Sequence, residues 1–166
     1  VAAIEYVQIT ISEWFKTLVQ KVSHASKSGA SSEQITVIVQ ESRTELTQLI
    51  EHVKAAGAAH CTSASDEQQF VSKIEWVSSV AQAQAVQIQQ IGINASVSKS
   101  DLTSQMESLA TASFHQIEVT LEQMKTSINF HQKINKISGK KSVKKAEQAA
   151  KQKVTTAVDK TKAAYG

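Results

Sequence analysis

The sequence predicts an all-α protein: an antiparallel helical bundle of two related helical hairpins, followed by a basic C-terminal helix. Three observations predict it. The 166 residues contain no proline, a residue that ordinarily supplies about one position in twenty and that breaks helix interiors by removing a donor and clashing with the preceding turn. Apolar residues recur at steps of three and four over long stretches, which gathers them on one helix face, and none alternates over a strand length. Capping residues and glycines separate those stretches.

The first helix, residues 3–27, carries Ile4, Val7, Ile11, Trp14, Leu18, Val22 and Ala25 on one face, and Ser28-Gly29 ends it. The second, 32–56, opens on Ser31 and Gln34, a capping-box pair in which each side chain satisfies a free backbone donor of the other. Its face runs Ile35, Ile38, Val39, Ser42, Leu46, Leu49, Ile50 and Val53, and Gly57 closes it. Residues 57–65 are a connector, after which Ser65 with Gln68 repeats the capping signature. The third helix, 66–92, presents Phe70, Ile74, Val77, Ala81, Ala85, Ile88 and Ile91. A polar link over 94–100 offers Ser98 or Ser100 as the next cap. The fourth helix, 100–137, carries Leu102, Met106, Leu109, Ser113, Ile117, Leu121, Met124, Ile128, His131 and Asn135. At about 1.5 Å per residue it reaches roughly 55 Å and outruns the third; a break near Asn129 is the alternative.

The halves resemble each other. Glu13-Trp14 returns as Glu75-Trp76, 62 residues on, and these are the chain's two tryptophans. "LTQLIEHVK" at 46–54 matches "IEVTLEQMK" at 117–125 at an offset of 71, pairing Leu46 with Ile117, Ile50 with Leu121 and Val53 with Met124. The expectation is a bundle over 1–138 built from related hairpins at 3–57 and 66–138, with Trp14 and Trp76 as equivalent core anchors. Two independent helix pairs are the alternative, because amphipathic helices imitate one another.

A hydrophobic fraction of 41% with 20% charged residues excludes both a chain too polar to fold and a membrane-embedded one. No stretch approaches the roughly 20 apolar residues that span a bilayer, and no secretory signal pattern stands at the start. The chain begins at Val1 rather than Met, which fits a processed protein or a piece of a longer one. Cys61 is alone, so no internal disulfide forms. A reducing, cytoplasmic compartment fits this, and a cysteine-poor secreted helical protein reads the same way.

Charge divides along the chain. Residues 1–138 balance at −3 and residues 139–166 at +6. The tail sets Ala146 and Ala157, and likewise Lys151 and Lys162, 11 residues apart. Over these 22 or so residues it resembles the 11-residue repeats of the group 3 late-embryogenesis-abundant proteins. The resemblance implies a conditional amphipathic helix that lies on membranes or shields proteins during water loss. Lys140, Lys141, Lys144, Lys145, Lys151 and Lys153 are the candidate contacts to a partner or polyanion. With no arginine in the tail, bidentate base reading is not expected.

No phosphate-cradling glycine loop, GxSxG, HExxH, CxxC or Glu-x-x-His pattern occurs. His60-Cys61 with Asp66 and Glu67 matches no zinc-ligand spacing and reads as a loop, and His52 sits where a cation suits a helix C-terminus. The sequence therefore points to a protein that is not an enzyme, with no catalytic residues, no metal site, no cofactor and no small-molecule substrate. The expected function is a structural or interaction module that self-assembles or binds a protein partner, alone or within a longer repeat protein. Two alternatives rest on the tail: a stress-protective, membrane-surface protein, or a nucleic-acid-binding accessory protein.

Overall fold

The computed structural model describes residues 2–94 and 96–130. Over these it is four long helices in a bundle: α1 (Ala2–Lys27), α2 (Ser32–Ala58), α3 (Ala64–Ile93) and α4 (Lys99–Ser127). Among the described residues there is no β-sheet, and no helix is long and apolar enough to cross a membrane. The expected basic helix over 139–166, with Lys140, Lys141, Lys144, Lys145, Lys151 and Lys153, lies outside the described residues.

Short links reverse the chain at each step. At the first, Gly29 adopts φ +86°, a conformation that costs a residue without Cβ little. It sets Ala30 N–H on Ala25 O at 3.0 Å and Gly29 N–H on Ser26 O at 3.2 Å, the pair of bonds that ties off a helix C-terminus. The capping box of α2 is present, with Ser31 N–H donating to Gln34 Oε1 at 2.8 Å and Gln34 N–H to Ser31 Oγ at 3.2 Å. The helices run antiparallel. The α1 C-terminus meets the α3 C-terminus through Ser26 Oγ donating to Gly92 O at 2.8 Å. It meets the α4 N-terminus where Lys99 Nζ reaches Lys27 O at 3.4 Å. At the other end, Gln8 Nε2 of α1 donates to Glu122 Oε1 of α4 at 2.7 Å.

Each helix packs on its neighbours in sequence, α4 closes on α1, and α1 also reaches α3 across the diagonal while α2 and α4 stand apart. Small residues set that short diagonal. Ala81 and Ala85 are fully buried. A Cβ on Gly92 would lie 2.6 Å from Val22 Cγ1, so the two helices approach where Gly92 has no side chain. α1 is consequently buried on three sides. Beyond its expected stripe it buries Tyr6, Thr10, Phe15, Thr17, Val19, Lys21 and Ser23. The α2–α3 seam is polar instead. Arg43 Nε donates to Gln82 Oε1 at 2.7 Å, Gln82 Nε2 to Arg43 O at 3.1 Å, and Gln89 Nε2 to Thr36 Oγ1 at 3.3 Å. Thr17 and Ser113 set their buried hydroxyls on the preceding turn, on Glu13 O and Leu109 O respectively.

Three expectations need correction. The cap of α3 is Ser63, not Ser65: Asp66 N–H donates to Ser63 Oγ at 3.1 Å, and Ala64 and Ser65 are already helical. The same Ser-x-x-Asp arrangement caps α4, with Asp101 N–H on Ser98 Oγ at 3.3 Å. Second, α4 does not run unbroken to 137. It ends at Ser127, and Ile128 turns extended (φ −116°, ψ 130°). Asn129 O accepts Thr62 N–H at 3.1 Å, Phe130 pairs with Cys61 across an isolated antiparallel bridge, and the Phe130 ring meets Phe70 edge-on at 5.8 Å. At that level α3 begins and α2 has ended, so further helix would leave its apolar stripe without neighbours. His131, Ile134 and Asn135 lie outside the described residues.

The third correction concerns Trp76, which is 41% exposed while Trp14 is 3% exposed. The buried positions of α2 reappear in α4 at the offset of 71 that the sequence match predicts: Val39 and Ala110, Ser42 and Ser113, Leu46 and Ile117, Ile50 and Leu121, Val53 and Met124. Those of α1 reappear in α3 at 63, not 62: Val7 and Phe70, Ile11 and Ile74, Trp14 and Val77, Leu18 and Ala81. Trp14 thus corresponds to Val77. Trp76 is one residue out of register, about 100° around the helix, and points outward.

Candidate functional site

A groove of about 720 Å³ opens along the α1–α4 seam. Its origin is a run of small residues on both walls. Ser12 and Ser23 line it from α1 and Thr103, Ala110 and Thr111 from α4, alongside the larger Phe15 and Phe114. The floor is apolar: Phe15, Val19, Ala110 and Phe114. Ser23 Oγ and Thr103 Oγ1 hydrogen-bond each other and pin the two helices together at one end.

The rim is cationic. Among the described residues, Lys16, Lys21 and Lys27 line the groove against the single carboxylate of Glu107, whereas residues 1–130 as a whole carry eight basic and thirteen acidic side chains, a balance of −5. His24 lies among them, and its Nε2 is buried without a hydrogen-bond partner among the described residues. Lys21 is the most enclosed cation, 4% exposed. Burial holds its ammonium below the usual lysine value, while Glu45 and then Glu41 across the α1–α2 seam oppose that shift. Because the folded value is lowered, the cost of charging Lys21 is present at neutral pH and is relieved as pH rises through that value toward 10.5. Lys21→Met is therefore expected to be neutral or to stabilise by about 1 kcal/mol at pH 7. Urea titrations at pH 7 and near pH 10 check this, with the gap between the proteins narrowing at the higher pH.

The other titratable groups sit apart. His52 of α2 stacks edge-on against Tyr6 at 6.4 Å, and His115 is exposed on α4. Cys61 Sγ donates to Gly57 O at 3.5 Å, and burial, with Asp66 and Glu67 adding to it, pushes its thiol up, away from the reactive thiolate. Among the described residues no three His, Cys, Asp or Glu side chains converge as metal ligands. Trp14 Nε1 donates to Ser42 O at 2.8 Å inside the core and does not line the groove. The groove was not legible in the sequence, because its walls come from residues some 90 positions apart whose relevant property is small size. No protein-family model, curated protein or solved structure matches this chain.

Proposed function

We propose that the chain is a non-catalytic helical module that acts by self-association or by binding a protein partner. One observation carries the reading: Trp76, an indole left 41% exposed by a bundle whose interior is fully formed. Isolated exposed aliphatics are ordinary, but exposed tryptophan is not, and tryptophan is enriched among the residues that dominate protein interfaces. The surroundings support it. Val119, 45% exposed on the neighbouring α4, is a second large apolar side chain that the bundle leaves outside. At three- and four-residue spacing around Trp76 on α3, Ser72, Ser79 and Val80 are uncharged and Lys73 carries the one charge.

The charge of the tail supports a second reading, in which residues 139–166, at +6, engage an anionic membrane or nucleic acid. Each lysine near such a surface contributes about 1 kcal/mol, which gives a salt-sensitive association rather than firm anchoring. One set of measurements separates the two. Light scattering across a concentration series is expected to show an oligomer for the full chain and a monomer for Trp76→Lys, with the same circular dichroism. Deleting 139–166 is expected to alter stability or oligomeric state and leave the four helices folded. A full chain that stays monomeric removes self-association, and tail deletion that leaves stability and assembly intact but abolishes liposome or DNA binding at low salt favours the second reading.

A further inference from the structure

We propose that the α1–α4 groove is a binding site for a single-chain amphiphile with one anionic head, of the long-chain carboxylate class. The site is separate from the Trp76 face, and the ligand is held rather than turned over.

The argument begins with the polarity of the groove along its length. Antiparallel α1 and α4 put Lys27 beside Lys99, whose Nζ lies 3.4 Å from the Lys27 carbonyl oxygen, so this end of the seam carries two lysines. His24 is one turn away, and its buried Nε2 has no partner among the described residues. From that end the floor runs inward over Val19 to Phe15, with Ala110 and Phe114 opposite. Lys27 to Phe15 is twelve residues, about 18 Å of helix. The groove is thus an apolar trough with Lys27 at its mouth and Lys16 beside Phe15 at its inner end, in a body that is otherwise net acidic.

The position of Glu107 decides between anionic occupants. Ser23 and Thr103 share a hydrogen bond, which fixes the register of the two helices and places Glu107 about two turns inward from the mouth, beside the trough. A ligand with charges spaced along its length, such as an acidic amphipathic helix, would set a carboxylate against Glu107. A ligand with one head and an uncharged chain avoids this, because the chain passes Glu107 as methylenes. The volume of about 720 Å³ falls in the range of small-molecule sites, roughly 300–1,000 Å³.

Isothermal titration of the full chain with laurate tests the assignment. The expected result is one laurate per chain. Lys27→Glu should weaken binding about tenfold, the loss of one favourable charge contact and gain of an unfavourable one. Glu107→Gln should strengthen it, and Lys73→Glu on α3, away from the groove, should leave it unchanged. Val19→Trp should abolish it by filling the trough. Thr111→Trp, at the exposed edge, makes the same test if the buried substitution unfolds the bundle. Dodecyltrimethylammonium, with the same chain and the opposite head, should bind more weakly than laurate. Absence of saturable laurate binding overturns the proposal. So does equal affinity for the two heads, or indifference to both Lys27→Glu and Glu107→Gln. Saturation by an acidic amphipathic peptide in place of laurate assigns the groove to a protein partner and overturns it equally.

Discussion

Trp14→Ala is expected to cost about 3–5 kcal/mol of folding stability, the range for removing a large aromatic side chain from a packed core. Trp76→Ala is expected to stay within about 0.5 kcal/mol, as exposed substitutions do. The sequence surroundings of the two residues are alike, so the contrast isolates what packing adds. Trp14 is 3% exposed, meets Phe15 edge-on at 5.1 Å, and spends its one donor on Ser42 O at 2.8 Å. Removing it leaves a cavity where α1 meets α2 and deprives the Ser42 carbonyl of that donor. Trp76 has solvent on its outer side and surrenders little. Urea unfolding of the two variants, followed by circular dichroism, gives both values. Fluorescence separates them independently: Trp14→Ala should leave the red emission of a partly hydrated indole, and Trp76→Ala the bluer emission of a buried one. Equal destabilisation by the two substitutions would refute the one-residue shift between α1 and α3.

That shift shows what the sequence specified and what it did not. The periods of the four apolar stripes were legible, and the buried residues of α2 and α3 follow them closely: Ile35, Val39, Leu46 and Val53 in one, Phe70, Ile74, Val77 and Ile88 in the other. Burial of such a stripe is what holds a helix in place, so pattern and fold coincide. The match of "EW" to "EW" was a weaker signal because it compared identities instead of faces. Trp76 never belonged to the stripe that runs through Val77, and the 3.6-residue period already placed it outside. The width of the α1 face was not legible either. It depends on the α1–α3 diagonal, which Gly92, Ala81 and Ala85 permit. Small residues carry little apolar weight in a sequence pattern, yet they determine how closely helices approach. The end of α4 was legible only as an alternative, the break near Asn129, for a related reason. Ile128 continues the apolar stripe, but the chain there leaves the helix because Thr62 and Cys61 supply backbone partners for an extended segment and Phe70 supplies a ring for Phe130. Those partners are about 60 residues or more away in the chain and leave no local mark.

Gly57→Ala shows the same dependence on a distant partner and is expected to destabilise, against its local preference. Gly57 lies inside α2, which ends at Ala58. In an exposed helix interior, replacing glycine with alanine stabilises by about 1 kcal/mol through backbone entropy. Here a Cβ would stand 2.1 Å from Phe70 Cζ and 2.3 Å from Cε1, distances no packed atoms sustain. The ring has no easy retreat. Phe70 is fully buried and is met from another side by Phe130, edge-on at 5.8 Å. Accommodating the methyl group requires the ring to leave its rotamer or the α2 terminus to move away from α3, and overpacking of this kind costs about 1–3 kcal/mol. The expected net result is a loss of about 1–2 kcal/mol, and Gly57→Val should lose more. A double-mutant cycle identifies the cause. Phe70→Leu shortens the opposing side chain, so Gly57→Ala in that background should cost much less than in the wild type, with a coupling of about 1 kcal/mol or more. If Gly57→Ala stabilises the protein, or if its effect is the same with leucine at position 70, then Phe70 does not rest on the Gly57 backbone, and the closure of the α2–α3 end needs another explanation.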